Sequence, residues 1–104
     1  MKVTLLYLTC KDNAEADKIS NSLLEKKLVA CAKKLPISSS FLWKGGIDKS
    51  DEILVLLETE ERLFDEIETE IKKLHSYETF ILASLPITRV SKGAQEWLIE
   101  GLKK

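Results

Sequence analysis

Ile53-Leu54-Val55-Leu56-Leu57 sets five apolar residues in succession. The run is too short for a helix and has no polar face, so it reads as a strand covered on both sides. Residues 2–10 have the same character, with Val3, Leu5 and Tyr7 on one parity and Thr4, Leu6 and Leu8 on the other. These are two central strands of one sheet, and the segments around them supply the rest of the fold. Asp12 followed by Glu15 makes a capping-box-like start, and Ala16, Ile19, Leu23 and Leu24 recur at helical spacing to about Lys27. Leu28-Val29-Ala30-Cys31-Ala32 resumes a strand that passes Pro36, whose missing N–H demands an edge or a bulge, and reaches Phe41-Leu42-Trp43. A hairpin through Gly45-Gly46 leads on to Asp51.

Downstream, Thr59 is placed to cap a second helix, with Glu60 and Glu61 in its first turn and Leu63, Ile67, Ile71 and Leu74 as its apolar stripe. Lys72, Lys73 and His75 end it with cations where the helix dipole favours them. Phe80 to Ile87 reads as a last strand, and Ser91 opens a third helix with Ala94, Trp97, Leu98 and Leu102 on one side. The order β-α-β-β-α-β-α is the split β-α-β, or ferredoxin-like, α+β arrangement with an added C-terminal helix, a single domain over residues 1–104. Both crossover helices of that plan cover one sheet face. The two central strands are nevertheless apolar on both parities, so the second face needs a partner and a homo-oligomer is expected.

Charge excludes nucleic acid as the main ligand. Sixteen Lys and Arg are set against 17 Asp and Glu, and the basic residues come only as scattered pairs. The N-terminal apolar run is interrupted too early for a signal segment and nothing approaches a membrane span, so a cytoplasmic protein with no membrane partner is expected. Cys10 and Cys31 form neither a CxxC nor a Cys/His zinc pattern and read as reduced, small and buried. The acids between Glu58 and Glu70 read as a solvated negative face.

Polar chemistry concentrates at one chain reversal, His75-Ser76-Tyr77-Glu78, which holds the only histidine. A helix C-terminal cap, a metal or small-ligand site and a general acid/base centre all fit those residue types. No nucleophile with an oriented base can be assembled from the rest of the chain, so an enzyme is not expected. Trp43 beside Gly45-Gly46 suits packing across a subunit boundary.

Taken in order, several fragments resemble the CutA divalent-cation tolerance family over essentially the whole chain. They are Leu28-Val29-Ala30-Cys31, Ser40-Phe41-Leu42-Trp43-Lys44-Gly45 with Ile47, Glu52 before an apolar strand ending in Thr59, Leu74-His75-Ser76-Tyr77-Glu78, Leu85-Pro86-Ile87 and Trp97-Leu98. The resemblance implies a ferredoxin-like homotrimer with clefts between subunits and a role in tolerance to copper and other divalent metals. The family pattern usually reads His-Pro-Tyr-Glu-x-Pro, where this chain has Ser76 and Phe80 at the proline positions, and a Lys-Thr pair closes the third strand where this chain has Glu58-Thr59. The family's metal ligands carry over as Leu8, Glu52 and His75. One donor is therefore missing, and Cys10, two residues on and facing the same side of a strand, is the substitute at hand. The metal set implied is His75, Glu52 and Cys10, with Tyr77, Glu78, Trp43 and Cys31 lining the cleft. The expected function is a non-enzymatic trimer that requires no cofactor and binds copper, zinc or another divalent metal weakly. The alternative is a small-ligand sensor or adaptor like the nitrogen-regulatory PII proteins, signalling to a protein partner. The lack of a glycine-rich phosphate loop argues against nucleotide as its ligand.

Overall fold

Strands β1 (Val3–Cys10), β2 (Cys31–Trp43), β3 (Gly46–Glu60) and β4 (Leu82–Pro86) form one antiparallel sheet in the order β2-β3-β1-β4. The computed structural model describes residues 2–104. β3 lies between β1 and β2, the two strands joined through helix α1 (Asn13–Glu25), so this is the split β-α-β plan. Helices α2 (Phe64–Leu74) and α3 (Lys92–Gly101) complete it. None of the helices is long and apolar enough to cross a membrane.

Strand alternation sorts the doubly apolar strands into two faces. Leu6 pairs with Leu57, Leu8 with Val55 and Cys10 with Ile53, and all six are buried in one core with Ile19 and Leu23 of α1 and Ile67 and Ile71 of α2. The opposite parity, Leu5, Tyr7, Leu54 and Leu56, is only half-buried. Leu98 of the third helix and Leu102, which follows it, are buried, whereas Trp97 faces out. Leu24 of the expected α1 stripe is likewise exposed.

Four local expectations change. Thr59 does not cap α2: it ends β3, fully buried, and its hydroxyl donates to the Leu28 carbonyl at 2.6 Å. A 3-10 turn, Glu61–Leu63, leads into α2 instead. The expected hairpin and the Ile53–Leu57 strand are one continuous strand, β3, and the reversal is made by Lys44 and Gly45, both at positive φ, as in a two-residue turn of the primed type. Leu28–Ala30 precede β2 rather than opening it; Lys27 at φ 58 ends α1 in a Schellman arrangement, with the Leu28 N–H on the Leu23 carbonyl and the Lys27 N–H on that of Leu24. Last, the acids from 58 to 70 are no uniform solvated face. Glu70 is buried between the helices and paired with Lys26, Glu60 is buried beside Arg62, and Glu58 is paired with Lys33.

Pro36 sits on β2, an edge strand, as its missing N–H requires. Past the end of β1, β2 and β3 continue alone from Ile37↔Glu52 to Trp43↔Gly46. This two-stranded ribbon carries Leu42 at 83%, Ile47 at 75% and Trp43 at 59% exposure.

Candidate functional site

The end of β1 from which the ribbon departs is where the titratable groups collect. α2 stops at His75 because the chain turns to an extended conformation there, the His75 N–H closing on the Ile71 carbonyl. The imidazole does not cap the helix. It turns inward, fully buried, stacked on Phe80 at 5.1 Å between ring centroids and tilted against Tyr77 at 4.8 Å. Its Nε2 donates to the Thr9 carbonyl at 2.8 Å, and its Nδ1 accepts the Tyr77 N–H at 3.0 Å. A carbonyl only accepts and an amide only donates, so these two partners suit the tautomer that carries its proton on Nε2 and turns the Nδ1 lone pair to the Tyr77 amide.

Cys10, Glu15 and His75 bring a sulfur, a carboxylate oxygen and a ring nitrogen within 4.8 Å of one another, a spacing that could hold a metal ion. Cys10 is fully buried on the inner face, on the same side as Leu8. Burial pushes its thiol up to about 12, and the carboxylates of Glu15, Asp12 and Glu52 add to the effect. Glu15 enters as half of the capping motif, Asp12 accepting its N–H at 2.9 Å. The side chain then departs from the motif. Its two oxygens accept the N–H of Lys11 at 3.1 Å and that of Ser76 at 2.8 Å, and Oε1 lies 3.7 Å from His75 Nδ1. Burial alone would raise the Glu15 carboxyl, but the hydrogen bonds from Ser76 and Lys11 outweigh it and hold it below the usual range.

Glu52 stands apart from that group. It lies just beyond the β1 pairing, buried, and accepts the Tyr77 hydroxyl at 2.7 Å; burial first and this carboxylate second hold the phenol protonated far above its ordinary range. A cavity of about 540 Å³ lined by Lys11, Asp12, Pro36, Asp51 and Glu52 opens beside these residues. Of the remaining expected residues, Glu78 is exposed. Trp43 and Cys31 lie at opposite ends of β2, Trp43 beneath the Lys44 ammonium and Cys31 half-buried, accepting from Lys33. Both cysteines are free.

Sequence reasoning missed Glu15, because its capping signal already explained it. The signal that pointed to it was Ser76. A proline there has no N–H to give, and the serine's N–H is the one Glu15 takes. Phe80, at the other departed proline position, stacks on the imidazole.

A split β-α-β sheet with a third helix added, and with thiol, carboxylates and imidazole gathered at one end of β1, defines a ferredoxin-like α+β domain. The family model described as CutA1 divalent ion tolerance protein matches residues 4–101, and the chain belongs to that family. It is 38% identical over 95 residues to the divalent-cation tolerance protein CutA of Archaeoglobus fulgidus, covering 91% of this chain and 93% of that one. The Pyrococcus horikoshii protein of the same name is 32% identical over 100 residues, covering 96% and 98%. The solved Archaeoglobus structure, described as a periplasmic divalent cation tolerance protein, superposes with a TM-score of 0.95 over 97% of this chain and 99% of that one, at 36% identity. CutA1 from Oryza sativa superposes with a TM-score of 0.97 over 100% of this chain and 96% of that one, at 26% identity. The comparisons do not favour the sensor or adaptor alternative.

Proposed function

We propose that this protein acts in divalent-cation tolerance as a non-enzymatic homotrimer in the cytoplasm, binding copper or another divalent metal modestly beside a cleft between subunits. The observation that carries the metal reading is the meeting of Cys10 and His75 with buried carboxylates at the end of β1. Imidazole and sulfur suit Cu(II), Zn(II) and their neighbours, whereas Mg(II) and Ca(II) prefer all-oxygen sites. Glu52, the Tyr77 loop and the adjoining cavity form the entrance, which a neighbouring chain would narrow. The exposed ribbon supports assembly, since two strands without a covering partner are marginal in water. Trp43, Cys31 and Glu78 are the residues left to line the subunit contact.

Calorimetric titration with Cu(II) tests this reading. Binding is expected in the native protein and mostly lost in His75→Ala. It should be weaker in mildly acidic than in neutral buffer, because protons compete with the metal for its donors. Copper binding unchanged by the substitution would leave His75 as a structural residue that joins α2 to β1.

A further inference from the structure

We infer that Glu15 is the third metal donor of this chain, so that Cys10 Sγ, Glu15 Oε1 and His75 Nδ1 form a buried, single-chain site for a thiophilic dication such as Zn(II) or Co(II). The inference rests on the metal-binding reading above and adds to it a donor, a coordinating atom and a class of metal.

Geometry comes first. The three donor atoms lie within 4.8 Å of one another, and Glu15 Oε1 is already 3.7 Å from Nδ1. Donors on a tetrahedral ion at ordinary zinc bond lengths stand about 3.3–3.6 Å apart, so closing on the ion asks for a contraction of about 1 Å. Glu52 is outside this group, its carboxylate turned to Tyr77.

The surroundings are already those of a ligating histidine. A metal-bound imidazole usually donates its second nitrogen to a carbonyl or carboxylate, which fixes the tautomer and presents the other nitrogen's lone pair. His75 Nε2 makes that bond to the Thr9 carbonyl. Glu15 is oriented the same way, held by the N–H groups of Lys11 and Ser76. One contact has to give. The Tyr77 N–H occupies the Nδ1 lone pair, and the loop after His75 must move it aside as the ion enters. The side chains of Cys10, Glu15 and His75 are nearly or fully buried, so the ion comes in by that loop opening.

Charge selects the oxidation state. A dication with the Cys10 thiolate, the Glu15 carboxylate and a neutral imidazole gives a site of zero net charge, which a buried location favours over the net negative site a monovalent ion would leave. The thiol proton leaves to solvent as the sulfur–metal bond forms. Three protein donors leave the fourth position of a tetrahedral ion open to water or a small anion.

Cobalt titration of the full chain followed by absorption reports the sulfur directly, through the thiolate-to-cobalt charge-transfer band. The wild type should show the band, Cys10→Ser should lose it, and Glu15→Gln and Glu15→Asp should each weaken cobalt affinity by about tenfold or more. Glu66→Gln, which alters an exposed α2 carboxylate paired with Lys103, should leave band and affinity unchanged, and excess Mg(II) should not displace the cobalt. Thermal melting of the apo variants shows that they remain folded, and Glu15→Asp keeps a carboxylate on the shared capping position should Glu15→Gln not fold. A band with unchanged affinity in both Glu15 variants would overturn the assignment of Glu15. Binding without the band, lost in Glu52→Gln, would overturn the whole donor set and leave the function proposed above standing. A wild type that binds neither cobalt, zinc nor copper would overturn that function as well.

Discussion

Tyr77 donates its phenolic O–H in a 2.7 Å hydrogen bond to the Glu52 carboxylate, pinning the loop after α2 to the point where β3 leaves the shelter of β1. Glu52 is buried and Tyr77 half-buried, so water is a poorer partner for the carboxylate than the hydroxyl it holds. Tyr77→Phe keeps the ring against His75 and deletes only the hydroxyl. It is expected to lower stability by about 1–3 kcal/mol, the cost of leaving a buried acceptor unpaired. Denaturant unfolding of the two proteins measures it; an unchanged midpoint would show that water replaces the hydroxyl without loss.

Stability falls toward both pH extremes, each through a different buried group. The Cys10 thiol is pushed up to about 12 by burial from an ordinary value of 9.0, so between those limits the folded chain keeps a proton that the unfolded chain has lost. Stability is fully present below the lower value and falls as pH rises through the window, by up to about 1.4 kcal/mol per unit. Cys10→Ala should flatten that alkaline decline in melting temperature. At the acid end, Glu15 and Glu70 are held below the usual carboxylate range. Their stabilisation is present above that range and is lost as pH falls through and below it. Glu15→Gln should blunt the acid decline.

Val55 is fully buried opposite Leu8 at the middle of the sheet. Val55→Asp places an unpaired charge there and should cost several kcal/mol, enough to unfold a domain of ordinary stability. Circular dichroism and expression yield read the outcome, and a normally folded variant would show that this strand tolerates water.

How far the sequence reached depends on which interactions were local. The strands were legible because Val3 to Leu8 and Ile53 to Leu57 repeat their pattern over enough residues to outweigh alternatives, and Pro36 marked its strand as an edge. Thr59 was misread because a threonine before two glutamates satisfies the local rule for a cap. Its hydroxyl instead finds the Leu28 carbonyl, 31 positions away, and no local pattern shows that. Glu70 and Lys26 are separated by 44 positions, so a buried carboxylate paired with an exposed lysine at the end of α1 read as two solvated charges. At the site, His75 stood out as the lone histidine at a chain reversal, whereas Cys10 entered as a donor only through the family resemblance, two positions from Leu8. Glu15 was missed, because its bond to the Ser76 N–H links positions 61 apart and its role in the helix cap was sufficient to account for it.

Assembly gives the last prediction. Beyond Cys10 the β2–β3 ribbon has no third strand, yet it presents Leu42 directly across from Ile47, with Phe41 and Trp43 beside them. An exposed apolar ribbon of this kind marks a contact with another chain. The half-buried face of Leu5, Tyr7, Leu54 and Leu56 adds to the same surface requirement. A homotrimer in dilute solution is therefore expected, and light scattering coupled to size exclusion measures its mass. Charges on the ribbon should oppose it without touching the core: Leu42→Asp with Ile47→Lys leaves a plausible cross-strand pair in the monomer and removes the apolar contact from the interface. The double variant should run as a smaller species with unchanged secondary structure and a lower melting temperature, since oligomers lose stability with their partners. A wild type that is monomeric at micromolar concentration would remove both the trimer and the cleft between subunits, leaving the metal group as a property of the single chain.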